Sequence, residues 1–142
     1  MKAMETDKRI DETELLRMPA RDYMNSAQLQ FFRERLLALK SELSQNVTAT
    51  TEHLRSAEVV SDPSDRATQE EEYGIELRTR DRERKLLRKI DQALARIDDG
   101  SYGYCADTGE PIGLRRLLAR PTATLSVDAQ ERREKLEKVY AP

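Results

Sequence analysis

The sequence predicts a mainly α protein: a long antiparallel coiled-coil hairpin, a small zinc-ribbon-like globular part that holds no metal, and a C-terminal helix. Three observations lead there. Two stretches, residues 26 to about 57 and about 67 to 99, repeat apolar side chains at alternating spacings of three and four, the pattern of a helical seam. Pro63 falls between them. Beyond Gly100, glycines and tyrosines crowd into a short stretch, as tight turns require. Composition agrees. Of 142 residues, 37% are apolar and 37% charged, against roughly 45–50% and about 25% in ordinary soluble domains, so little of the chain can be deeply buried.

Residues 1–25 carry scattered apolar groups, among them Ile10, Leu15 and Tyr23, with Pro19 as a helix stop; they read as a weakly ordered segment or one that docks on the globular part. Asn25-Ser26 is a plausible cap for the first long helix. Its seam runs Leu29, Phe32, Leu36, Leu39, Leu43, then shifts phase through Val47, Thr50 and Leu54. The second helix, expected from about Ala67, offers Leu87, Ile90, Leu94 and Ile97 and stops at Gly100. A chain reversal at Pro63 aligns Leu29 with Ile97, Phe32 with Leu94, Leu36 with Ile90 and Leu39 with Leu87. Nearer the turn the pairing becomes polar, since Leu43 would face Glu83. The domain plan is therefore 26–99 for the hairpin with its tip at about 58–66, 100–127 for the ribbon-like part, and 128–142 for a polar C-terminal helix capped by Ser126 or Asp128. Leu114 to Ala119 reads as a short helix, and Thr124 to Ser126 as a short extended piece.

Charge is sorted along the hairpin. From Glu58 to Glu76 seven acids stand against Arg66 alone, whereas from Leu77 to Lys89 seven bases stand against Asp81 and Glu83. Such runs commonly form a solvated, salt-bridge-laced helix face; they also suit a probe whose basic shaft meets an anionic rim while its acidic end enters a site rich in cations. Asp62 and Asp65, three apart around Pro63, fit an Asx turn and a helix cap, or carboxylates aimed at metal or basic groups of a partner.

The glycine-rich knuckle has the outline of a zinc ribbon without its ligands. The four positions are Cys105, Thr108, Ser126 and Ala129. One thiol cannot hold a structural zinc ion, which wants four N or S donors, so closure must come from packing. Tyr102, Tyr104, Ile112, Leu114, Leu117, Leu118, Leu125 and Val127 are the candidates, with Cys105 a half-buried bystander thiol or, as the sharper alternative, a redox-responsive one. A lone Cys excludes an internal disulfide framework. The formal charge of −2 gives no global bias toward nucleic acid or lipid. The longest aliphatic runs, such as Leu36 to Leu39, fall far short of the ~18 residues of a membrane span. With no basic-then-apolar leader, a cytoplasmic monomer is expected.

Three stretches together, Asp62-Pro63-Ser64-Asp65-Arg66-Ala67, Glu76 to Lys85 (ELRTRDRERK) and Gly109 to Pro121 (GEPIGLRRLLARP), closely resemble the bacterial DksA/TraR family of transcription factors. The resemblance implies a non-enzymatic regulator that inserts an antiparallel coiled coil into the secondary channel of RNA polymerase, reads no DNA sequence and destabilises promoter complexes, often with the alarmone ppGpp. It implies a tip at Asp62, Asp65 and Ala67 acting near the polymerase active site, a rim contact at Arg82, and ppGpp contacts at Leu86, Lys89 and Arg120. The family's further basic position is Gln130 here. The missing cysteines resemble the Cys-poor, zinc-independent members. An alternative of another class is a Gre-like transcript-cleavage factor, whose tip acids help hold a second Mg²⁺; a DNA-binding ribbon and a passive coiled-coil adaptor are further alternatives.

Overall fold

The computed structural model describes residues 9–56 and 63–140. It contains α1 (Glu12–Arg17), a 3₁₀ turn (Ala20–Asp22), α2 (Ser26–Ser56), α3 (Pro63–Asp99), α4 (Leu114–Ala119) and α5 (Val127–Tyr140). Among the described residues there is no strand, only one antiparallel bridge between Tyr104 and Pro111. None of the described helices is long and apolar enough to cross a membrane. The helices α2 and α3 form a helical hairpin. Two ion pairs, Arg33 with Asp98 and Lys40 with Asp91, lie one heptad apart on each helix and in opposite directions, which is the geometry of antiparallel pairing.

The chain divides into two compact units. The first comprises residues 1–37 and 92–142 and holds most of the buried apolar side chains: Leu15, Phe32, Leu36, Ala93, Ile97, Tyr102, Ile112, Leu117, Leu125 and Ala129. Fully burying a side chain such as Phe32 or Leu36 contributes ~1.5–3 kcal/mol, and Phe32 stacks at a tilt on Tyr102, ring centres 5.6 Å apart. The segment before α2 belongs to this core. A capping box starts α1, with Asp11 Oδ1 accepting from the Glu14 N–H at 2.8 Å and Glu14 Oε1 from the Asp11 N–H at 3.3 Å. Leu15 is wholly buried, α1 packs on α4, and the Arg9–Glu34 and Glu12–Arg35 ion pairs tie the segment to α2.

Tyr23 joins this segment to the knuckle. Its hydroxyl donates to Gly103 O at 2.7 Å and accepts from the Gly113 N–H at 2.9 Å. Beside it, Met24 occupies a left-handed conformation (φ 58°), and its sulfur would lie 2.7 Å from a Cβ added at Gly103, whose own φ of 88° also disfavours a side chain. Gln28, wholly buried, satisfies the turn by accepting the Met24 N–H at 2.8 Å.

The second unit, residues 38–91, takes in the remaining described stretches of α2 and α3. Among its described side chains only Ile90 is buried, while Leu39, Leu43, Val47 and Leu87 are half-buried. Its seam includes Arg80 Nε and Glu83 Oε1, both buried and bonded to no protein group. A buried polar atom left without a partner costs about 1–3 kcal/mol, so this seam is held less firmly than the first unit's core.

The structure corrects several expectations. Helix α3 begins at Pro63, four residues before the expected start, because a proline in the first turn has no N–H to lose and a preset φ. Asp65 is thus inside the first turn and is not its cap. Within the α3 seam Ala93 is wholly buried and Leu94 only half-buried. Tyr104 and Val127 were expected to close the knuckle, yet they are 38% and 49% exposed; Leu15, Phe32 and Ala129 fill the interior instead. Cys105 is buried rather than half-buried. The piece at Thr124 to Ser126 pairs with the knuckle through one bond, Ala106 N–H to Thr124 O at 2.8 Å, and forms no strand.

Candidate functional site

Helix α3 carries most of the expected site residues, all within the second unit. Asp65 and Ala67 are exposed in its first turns. A carboxylate there is favoured by the helix dipole and needs no partner within the chain. Asp62 lies outside the described residues. Farther along, one face of α3 forms an open groove lined by Thr79, Arg82, Glu83, Lys85, Leu86 and Lys89. The spacing explains it: positions 79, 82, 86 and 89 recur at three and four and share one side of the helix. Arg82, Leu86 and Lys89, expected to serve a rim contact and an anion, are thereby brought together. Leu86 is 39% exposed and gives the groove an apolar patch beside cations. Lys85 lines the same groove and was not foreseen; its place three residues after Arg82 and four before Lys89 is the signal that could have found it.

The remaining expected residues belong to the first unit. Arg120 follows α4 and is exposed, with its backbone N–H bonded to Arg116 O at 2.7 Å. Gln130, on α5, bonds through its amide to Glu134 at 3.1 Å and carries no charge toward an anion.

The knuckle is a hairpin stitched by Cys105 N–H to Glu110 O and Ile112 N–H to Gly103 O, each 2.8 Å. It brings two of the other three ligand positions of a ribbon, Thr108 and Ser126, to the one thiol. Burial works to raise the Cys105 pKa, but the Thr108 hydroxyl and the backbone N–H groups of Ser126, Thr108 and Asp107 hydrogen-bond the sulfur and outweigh it, lowering the value to about 6. Ser126 caps α5, its hydroxyl accepting from the Ala129 N–H at 3.2 Å, and Ala129 presents a wholly buried methyl group. One sulfur, two hydroxyls and a methyl are not the four N or S donors of a structural zinc site. Outside this cluster, Arg133 bonds Asp107 at 2.9 Å and holds its carboxyl below the ordinary range. Tyr102 donates to Pro121 O at 2.7 Å, and burial pushes its hydroxyl pKa up. Among the described residues no cluster of three or more His, Cys, Asp or Glu could hold a metal.

A helical hairpin whose α3 exposes Asp65 in its first turn and carries a cationic groove, in a chain that also holds a glycine-rich knuckle, defines a helical-hairpin protein. Sequence comparison names the family. The N-terminal domain of DnaK suppressor protein DksA matches residues 28–97, and the prokaryotic dksA/traR C4-type zinc finger matches residues 100–135. RNA polymerase-binding transcription factor DksA of Caulobacter vibrioides is 56% identical over 119 residues, covering 83% of this chain and 84% of that protein. Its counterpart in Escherichia coli K12 is 48% identical over 124 residues, covering 87% and 82%. The solved structure of transcription factor DksA2 from Pseudomonas aeruginosa superposes with a TM-score of 0.82 at 51% identity, covering 90% of this chain and 99% of that one. The chain belongs to the DksA family.

Proposed function

We propose that this protein is a transcription regulator that binds RNA polymerase directly and shortens the lifetime of promoter complexes. The observation that carries the reading is the groove on α3, which sets Arg82, Lys85 and Lys89 around Leu86 on the same helix that exposes Asp65 and Ala67 in its first turns. The groove docks on an acidic rim of the polymerase through Arg82. The end of the hairpin, with Asp62, Asp65 and Ala67, enters the secondary channel and acts near the catalytic centre. Leu86, Lys89 and Arg120 contact ppGpp together with polymerase groups. The chain acts in the cytoplasm as a monomer, reads no DNA sequence and catalyses no reaction of its own.

The decisive experiment is Asp65→Asn, which removes the charge and keeps the size. Binding to polymerase should stay nearly intact while the effect on a ribosomal promoter is lost; joint loss of both would make the end of the hairpin a docking element. A backtracked-complex cleavage assay tests the Gre-like alternative, under which this chain would stimulate transcript hydrolysis. Because Gln130 stands at the family's basic position, the response to ppGpp should be modest, and Gln130→Lys should strengthen it.

The donor set at Cys105, Thr108, Ser126 and Ala129 supports a knuckle closed by packing and hydrogen bonds rather than zinc. Exhaustive chelation should leave both the melting temperature and the transcription response unchanged. Loss of either on chelation contradicts this reading.

A further inference from the structure

Three separate features that disfavour a rigid helix fall in one short stretch of α3, residues 74–83. Gly74 stands in its interior with no steric call for a glycine: a Cβ added there would meet only Arg78 Nη1, at an ordinary 3.7 Å. Glycine in a helix interior sacrifices backbone entropy that alanine would not. One turn later the Thr79 hydroxyl donates to the Ile75 carbonyl at 3.1 Å, a bond to the i−4 carbonyl that competes with the helix ladder and bends helices. Next come Arg80 Nε and Glu83 Oε1, buried in the seam with no protein group bonded to either. No buried apolar side chain compensates, since among the described residues of this unit only Ile90 is buried, and it lies beyond the stretch.

We propose that residues 74–83 of α3 are a compliant joint, so that the first turns of the helix, with Asp65 and Ala67, take their working direction only after the groove has docked. Gly74 is then a positioning residue for the acidic end of the hairpin. The ground state is not held in one direction by packing, and docking selects among closely spaced bends. The inference rests on the docking and tip roles proposed above.

The test uses the full chain with Gly74→Ala and Gly74→Ser, which stiffen the helix in graded order without touching the groove. Without polymerase, hydrogen exchange read by mass spectrometry should be faster for amides 75–83 than for 88–97 of the same helix. Gly74→Ala should slow the former about five-fold, with Ser between, as helix preference dictates. With polymerase, Gly74→Ala should leave the concentration for half-maximal effect within about twofold while cutting the maximal effect on promoter-complex lifetime several-fold, Ser again between. Equal exchange along α3, or exchange indifferent to Gly74→Ala, overturns the joint whatever polymerase does. Slowed exchange with an unchanged maximal effect overturns the positioning role. Arg82→Ala serves as the control on the underlying reading: if it leaves polymerase binding unaffected, the docking proposal falls, while the exchange result still decides the joint.

Discussion

The two units of this chain use the same helices in opposite ways. In the first, α2 and α3 contribute Phe32, Leu36, Ala93 and Ile97 to a core shared with α1, α4 and the knuckle, and polar groups are answered one by one: Gln28 by the Met24 amide, Tyr23 by Gly103 and Gly113, Tyr102 by Pro121. In the second, which holds stretches of two helices, one described side chain is buried and, among the described residues, two buried polar atoms go unanswered. A pair of helices cannot cover both of its own flanks, so its seam stays half-wet; a third element supplies the missing contacts in the first unit. Among the described residues, close packing belongs to the first unit and looser packing to the second.

This contrast can be broken by measurement. Phe32→Ala should be the most damaging change, costing about 3–5 kcal/mol in chemical unfolding. Leu43→Ala, half-buried in the second unit, should cost no more than about 1 kcal/mol, because a site already partly open to solvent leaves little cavity. Equal losses would erase the distinction. Tyr23→Phe tests the joint between the N-terminal segment and the knuckle. It strips the donor from Gly103 O and the acceptor from the Gly113 N–H, and a loss of about 1–3 kcal/mol should follow.

Ser126→Ala removes the cap of α5 and should lower stability by about 1 kcal/mol, with the helix fraying from its start in hydrogen exchange. The smallest effect belongs to Asp107. Its carboxyl is held below the ordinary range by Arg133, so the bond contributes stability above the unfolded carboxylate pKa and loses it as pH falls through the lower folded value. Both groups are solvent-accessible and screened. Asp107→Asn should therefore lower the melting temperature slightly at neutral pH and hardly at all in acid.

Much of the helical architecture was legible in the chain. The spacing of Leu29 to Leu43 and of Leu87 to Ile97 marks the two long helices, and Gly100, φ +86°, ends the second where a left-handed residue lets the Ser101 and Tyr102 N–H groups reach back to Arg96 O. The run Leu114 to Ala119 is helical to its expected ends. Pro63 sits in the first turn of α3 and not in a break before it, since local rules place proline equally well just outside a helix or just inside it. For the site, periodicity alone brings Arg82, Leu86 and Lys89 to one face, and would have added Lys85. What those residues touch in a partner is not written in their spacing.

What the sequence determined by itself is whatever depends on neighbours within a turn or two: the helices, the sorting of acidic and basic stretches, and a knuckle with a single thiol where four donors would be needed. Tertiary structure decided the rest. That Leu15 and Gln28 are buried, that Tyr104 and Val127 are not, and that Ala93 is buried while Leu94 is half-covered all depend on groups far apart in the chain coming into contact. Hydrogen bonds such as Tyr23 to Gly103, 80 residues away, leave no periodic trace, because burial is set by the surface that arrives from elsewhere and not by the residue's own neighbours.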